Sequence, residues 1–407
     1  MRAGYVSRPL AVEILYISHC VPWPPDKGER IRAHHSLRTL LDHFPVHLAC
    51  VARSEQEAAA DSPLRQRCAS VAIEPLAPRR ALLRAGLHFA AGGCLTAKFY
   101  QSPPLEAHIA RLLRRAPIGA VVLLSSGMAY YAPTSLPYIA DWGDVDSEKR
   151  LAYGRMRFGG LIHRLEGQRL RVVERDYAMR ARMTFLTTDN ELALFRSFAP
   201  DVPAACCGNG VDGTNFDPGA SFAIPDGLRR RRFIVFVGMC DYYPNADGIC
   251  RFAAEVFPTL RSRHPDIELF VVGRNPTGEV QSLAERDGVT VTGAVDDVRP
   301  YLAAAQGVVV PLRIARGVQN KVLEALAMGK SVLASKEVAN TFHPDLPRGL
   351  ICCRSAEEYA AAVDALPPGS APDPSIVAAA RARFDWAASL RPLIDALNAI
   401  AKERCVA

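Results

Sequence analysis

Residues 307–335, GVVVPLRIARGVQNKVLEALAMGKSVLAS, constrain the fold more than any other stretch of this chain. Gly307 to Leu312 is a continuous apolar run, the pattern of a strand covered on both faces as in a parallel sheet. A short loop with Arg313, Arg316 and Gly317 follows. From Asn320 to Met328, Val322, Leu323, Leu326 and Ala327 recur at helical spacing, and Gly329 supplies the stop. Ser331 to Ala334 is then a second apolar strand. The N-terminus of such a helix has backbone N–H groups without partners and the positive end of the macrodipole, so it attracts an anion. Gly317 lets the backbone approach a ligand, Arg316 and Lys321 add positive charge, and Glu324 sits one turn further in. A phosphate-bearing ligand with a hydroxyl-rich group beside it, such as a nucleotide sugar, fits that arrangement.

At 407 residues one core is too small a container, and two domains near half that length are expected. Glu13–His19, Val46–Val51, Val71–Ile73, Gly119–Leu124 and Tyr138–Trp142 read as strands, with a helix over Glu29–Leu41. The layout restarts with Arg232–Gly238, a loop, a helix over Asp247–Leu260, and strands at Glu268–Val272 and Val289–Thr292. Alternating strands and helices predict α/β architecture with parallel sheets. A connection over Ala205–Arg232 separates the halves, and Pro367–Pro374 is a second break before a helix read over Ser375–Ala401. Ligands of open α/β sheets bind beyond the carboxyl ends of the strands. The net charge of +7 favours an anionic ligand or surface. Eleven cysteines without zinc-type spacing, and an N-terminus without an apolar leader, predict reduced thiols in the cytoplasm. No run approaches a membrane span. His34, His35 and His163 lack metal spacing and read as structural.

The 316–329 segment resembles the donor-binding signature of the retaining GT-B glycosyltransferases of family four, an E-x7-E followed by a small residue, Gly and a Pro-Val turn. Glu324 holds the second acidic position, while the first is Arg316. The wording RIARGVQNKVLEALAM, with DWGDVDSEKR (Asp141–Arg150), GNGVD (Gly208–Asp212) and FVGMCDYYPNADGI (Phe236–Ile249), is similar to the sugar transferases associated with the PEP-CTERM exosortase system of exopolysaccharide clusters. The resemblance covers about residues 12 to 400. It implies two Rossmann-like parallel-sheet domains facing a cleft: 1–205 on the acceptor side, 206–385 binding the nucleotide sugar, and 386–407 as a helix crossing back to the first domain. It also implies transfer of a hexosyl group to a saccharide or lipid-linked acceptor with retention of configuration. A nucleotide-sugar epimerase on the same scaffold is the alternative. A dinucleotide-dependent oxidoreductase is disfavoured, because no G-x-G-x-x-G follows either opening strand.

The resemblance assigns residues as follows. Asp141 matches the family position often held by His at the reaction centre, with Asp144 and Asn209 beside the cleft. Gly28, before the first helix, brings a backbone N–H toward the donor's second phosphate. The loop after Gly238 lacks the Arg and Lys that many family members place there, so Arg313, Arg316, Lys321 and Arg274 are the expected cations. Arg suits bidentate phosphate contacts. Gly317 and Val318 offer backbone N–H groups, and Glu324 accepts from the ribose. With cations in that place no metal and no further cofactor is expected, and Asp144-Val145-Asp146 is not read as a metal motif. Arg79, Arg80, Arg84, Lys98, Arg111, Arg114 and Arg115 lie among Leu82, Leu83, Leu87 and Phe89. This suits either contact with anionic lipid headgroups, peripheral at the inner face of the cytoplasmic membrane, or a solvated basic face. No nucleic-acid module is present in the pattern.

Overall fold

In the computed structural model, residues 12–26, 28–59, 61–156, 160–220, 222–315, 317–367 and 369–406 are described. The chain divides into two units. The first ends at Gly208 and resumes at Leu390, and the second is Asn209–Ser389.

Seven strands build the first unit: β1 (Glu13–Ser18), β2 (Val46–Ala52), β3 (Ser70–Pro75), β4 (Ile118–Leu124), β5 (Tyr138–Gly143), β6 (Met183–Leu186) and β7 (Ala204–Cys206). They pair in parallel in the order β3-β2-β1-β4-β5-β6-β7. β1, β2 and β4 are apolar on both faces because helices cover both, and Leu15, Ile17, Val121 and Leu123 are buried. The second unit holds β8 (Arg232–Val237), β9 (Ile267–Val272), β10 (Val289–Gly293), β11 (Gly307–Val310), β12 (Val332–Ser335) and β13 (Leu350–Cys353). Their order is β10-β9-β8-β11-β12-β13, again all parallel. Each sheet therefore reverses its direction of growth once, between β1 and β4 and between β8 and β11. Loops leaving such a switch point form a crevice suited to ligands.

Two local features set the second unit. The helix Asn320–Ala327 buries Val322, Leu323, Leu326 and Ala327 and ends at Gly329, whose φ of +70° is the left-handed turn glycine allows. Lys330 is buried, and its ammonium donates to the carbonyls of Ala303 (2.7 Å), Ala305 (3.0 Å) and Ser370. That ties the Pro-rich connector to the sheet.

The segment expected to be one helix from Ser375 to Ala401 is three: Pro374–Phe384, Trp386–Ser389 and Arg391–Val406. The break at Asp385 has a local cause, since its carboxylate accepts from the Ala387 N–H at 2.9 Å and caps the new turn. The last helix belongs to the first unit. It lies against β4, buries Leu393, Ile394, Leu397 and Ile400, and donates from Arg404 Nη1 to the Gly119 carbonyl at 3.1 Å.

Candidate active site

In the second unit the site grows from the ends of β8, β9 and β11. β8 runs into Gly238, whose N–H bonds Val272 O at 3.0 Å, and β9 runs into Gly273. A Cβ on Gly273 would lie 1.7 Å from the Gly238 carbonyl oxygen, so these two loops touch backbone to backbone. The helix Tyr243–Arg251 then begins with Pro244 in its first turn. Asn245 is buried in that turn and donates to Met239 O at 2.8 Å, which leaves its Oδ1 facing the next element.

That element is the helix Asn320–Ala327. Lys321 reaches back so that Nζ donates to Asn245 Oδ1 at 2.7 Å and lies 4.4 Å from the Phe236 ring centroid. A Cβ on Gly238 would sit 2.6 Å from this Nζ, so the glycine makes room for the ammonium. No carboxylate pairs with Lys321 among the described residues. Burial lowers its pKa to about 7, although Glu324 and the Cys240 thiol push it back up. Glu324, one turn on, is raised to about 7 by burial, with Lys321 opposing. An ammonium held by an amide oxygen and an aromatic face, with no salt bridge among the described residues, can receive an anion. At the start of this helix Gln319 makes no side-chain capping bond, whereas Thr188, Ser335 and Ser355 each cap the helix they precede. Gly317 has φ of +62°, and Val318 packs partly into the core. Arg316 lies outside the described residues.

The remaining expected residues of this unit are dispersed around that pair. Arg313 is exposed and forms two bonds to Asp247, from Nη2 at 2.6 Å and Nε at 2.9 Å. Its charge is thus already partnered. Arg274 is exposed in the loop after β9, and its carbonyl accepts from Cys240 N at 2.9 Å. Asn209 donates from Nδ2 to Asn320 Oδ1 at 3.3 Å, which places it at the start of the Lys321 helix.

In the first unit, Gly28 opens the helix Gly28–His43, and a Cβ there would meet nothing within 4 Å. Asp141, at the end of β5, is 1% exposed. Its carboxylate receives Arg32 Nη2 at 2.7 Å and Arg32 Nε at 3.1 Å. Arg32 also donates to Cys207 O at 3.0 Å and Gly208 O at 3.2 Å. Burial alone would lower the guanidinium pKa, but Asp141 more than offsets that and raises it. Asp144 accepts from Thr187 Oγ1 at 2.7 Å and Asp146 from Ser126 Oγ at 3.0 Å. Among the described residues no group of three or more His, Cys, Asp or Glu is arranged to hold a metal ion.

Sequence reading missed Asn245, Gly238's steric role, Arg32 and Glu174. Arg32 lies on the buried face of its helix with Ser36, Leu37 and Leu40, and a charged side chain on an otherwise mixed helix gives no periodic signal of that. Glu174 is fully buried and accepts from Ser147 N at 3.0 Å and from the Ser147 hydroxyl; burial, then Asp146, raises its pKa to about 8.

Residues 231–367, all within the second unit, match the family described as Glycosyl transferases group 1. The whole chain is similar in fold to sucrose-phosphate synthase from Thermosynechococcus elongatus, at 16% identity and TM-score 0.62, covering 97% of both chains. It is similar to the Anabaena protein HepE in complex with UDP and glucose, at 14% identity and TM-score 0.63, covering 95% of this chain and 100% of that one. It is also similar to WaaG, a glycosyltransferase involved in lipopolysaccharide biosynthesis, at 16% identity and TM-score 0.58, covering 96% and 98%. No curated protein matches in sequence. The fold is GT-B.

Proposed function

We propose that this protein is a glycosyltransferase. It takes a sugar from a nucleoside-diphosphate sugar and transfers it to a saccharide or lipid-linked acceptor, with retention of configuration, in exopolysaccharide synthesis. Support comes from the group 1 glycosyltransferase match in the second unit, the GT-B fold, and neighbours solved with UDP or UDP-glucose. The observation that carries it is the half-buried Lys321 ammonium, held by the Asn245 amide oxygen and the Phe236 ring at the first turn of its helix, with Glu324 one turn further on.

In the reaction the C1–O bond to the diphosphate breaks, and its electron pair stays on the phosphate oxygen. The acceptor hydroxyl forms the new C1–O bond and passes its proton to the departing diphosphate oxygen. Negative charge on the leaving diphosphate is greatest as that bond breaks, so preorganised cations act most strongly there. Lys321, Arg316 and the Gly317–Val318 backbone take this role, with Arg274 and Arg313 on the donor's outer side. Arg313 would exchange Asp247 for phosphate. Glu324 receives the ribose hydroxyls, and Gly28 offers its backbone N–H to the second phosphate. Asp141, held rigid by Arg32, orients a group at the reacting sugar, with Asp144 and Asn209 toward the acceptor. Turnover is expected to need no metal and to persist in chelator.

The test is thermal-shift screening with UDP-, GDP- and ADP-sugars, followed by turnover of the best donor. A bound donor stabilises the native state by mass action. Lys321→Ala and Glu324→Ala should each lose turnover and the donor-induced shift. Unchanged turnover in both variants removes this assignment, and the anomeric configuration of the product tests retention.

A further inference from the structure

The helix Pro78–Ala90, PRRALLRAGLHFA, packs inside out. Its buried residues are the small Ala81 and Ala85, one turn apart, while Leu82, Leu83 and Leu87 are 59%, 67% and 66% exposed. A helix stabilised by its own domain turns its leucines inward. Here Leu83 and Leu87 lie on one outward stripe between Arg79 and Arg80, both also exposed. Charge follows the same division. From Pro75 to Leu105 the chain has Arg79, Arg80, Arg84 and Lys98 and no Asp or Glu.

A second helix extends the patch. Gly160–Ala178 is fastened to this region by Glu166, whose carboxylate accepts from Leu95 N (2.8 Å) and Thr96 N (2.7 Å). Arg169 Nη1 on the same helix donates to Gly93 O at 3.1 Å and its guanidinium lies 4.3 Å from the Phe89 ring centroid. Ile162 precedes Arg169 by seven residues, two helical turns, and so lies on the same side of that helix. Leu161 and Ile162 are 70% and 57% exposed, and Arg164 beside them is exposed too.

We infer that this leucine–arginine surface of the first unit rests on a lipid bilayer rich in anionic phospholipid, leucines in the acyl boundary and arginines among the headgroups. Exposed aliphatic side chains flanked by arginines, in a stretch from Pro75 to Leu105 that has no acid to repel a phosphate, match that partner in both hydrophobicity and charge. No helix among the described residues is long and apolar enough to cross a membrane, so contact of this kind is lateral. The inference uses only residues of the first unit and stands apart from the donor-site assignment.

The experiment is co-sedimentation of the full chain with vesicles of phosphatidylcholine alone and of phosphatidylcholine mixed with phosphatidylglycerol. Binding is expected on the mixed vesicles and is expected to weaken with salt. The double variant Leu83→Glu, Leu87→Glu should bind them roughly tenfold more weakly or worse. Arg79→Ala and Arg80→Ala should each cost roughly fivefold on mixed vesicles only. All of these side chains are exposed, so the melting temperature and the UDP-glucose shift should stay at wild-type values, which separates this test from that of the donor site. Inorganic phosphate should not compete; competition would mark a small phosphate site and overturn the inference. Absence of binding to mixed vesicles overturns it, as does wild-type binding by the leucine variant. A wild-type dimer that the leucine variant makes monomeric, without vesicle binding, assigns the face to a second copy and overturns it equally.

Discussion

If the start of the Lys321 helix receives the donor, as proposed, its affinity depends on pH. The Lys321 ammonium has one amide oxygen and a ring face for company, and burial holds its pKa at about 7. A diphosphate arriving beside it favours the charged form, so its pKa rises in the complex and binding takes up a proton. Affinity must then fall as pH rises through 7. The neutral fraction in the empty site grows from about a quarter at pH 6.5 to about 97% at pH 8.5, so the dissociation constant for UDP-glucose should rise by roughly 25-fold over that span. Isothermal titration in two buffers of different ionisation heat should register uptake of about half a proton at pH 7 and about nine-tenths at pH 8. Lys321→Gln should lose most of this slope, keeping only the part that Glu324 contributes, and bind near the weak affinity the wild type approaches at high pH. An affinity flat from pH 6.5 to 8.5, or a slope of undiminished size in Lys321→Gln, refutes the reasoning.

Four further variants probe the packing and the buried charges. Gly238→Ala meets only the movable end of Lys321 and the Asn245 amide, so its melting temperature should stay near wild type while UDP-glucose binds about tenfold more weakly; in Gly273→Ala the methyl meets the Gly238 carbonyl, and the loss of stability, read by urea unfolding, should be about 3 kcal/mol or more. Arg32→Met strands the buried Asp141 carboxylate and should cost about 3–5 kcal/mol by the same measurement, with unchanged stability excluding a tight pair. Glu174 has its folded pKa raised to about 8 from an ordinary 4.5, so the stability it contributes is full below pH 4.5 and is lost as pH rises to 8. Glu174→Gln should therefore flatten the fall in melting temperature between pH 5 and 8, and an identical profile in the variant would refute that placement.

Much of the fold was legible because parallel strands covered on both faces leave unbroken apolar runs. β1, β2, β4, β8, β9 and β11 all show one. β6 (MTFL), β7 (AAC) and β13 (LICC) escaped reading, since three or four residues carry no periodicity and two of these strands sit at a sheet edge. The Lys321 helix was legible from its apolar spacing and its closing glycine. What Lys321 touches was not, because Asn245 is 76 residues away and Gly238's demand for a missing Cβ appears only when two loops meet. Arg313 illustrates the converse. Its charge pointed to phosphate, but a carboxylate 66 residues earlier on a neighbouring helix had first claim on it. Arg32 and Asp141, 109 residues apart, pair for a reason visible only once β5 and the first helix are assembled.

The return of Arg391–Val406 to β4 has a consequence for biosynthesis. The unit made first on the ribosome lacks one wall until Arg391–Val406 has been translated, whereas Asn209–Ser389 has its whole sheet beforehand. A premature stop near codon 390 would spare the later-made half and leave the earlier one with β4 uncovered, so nascent chains are most vulnerable to proteases at their oldest end.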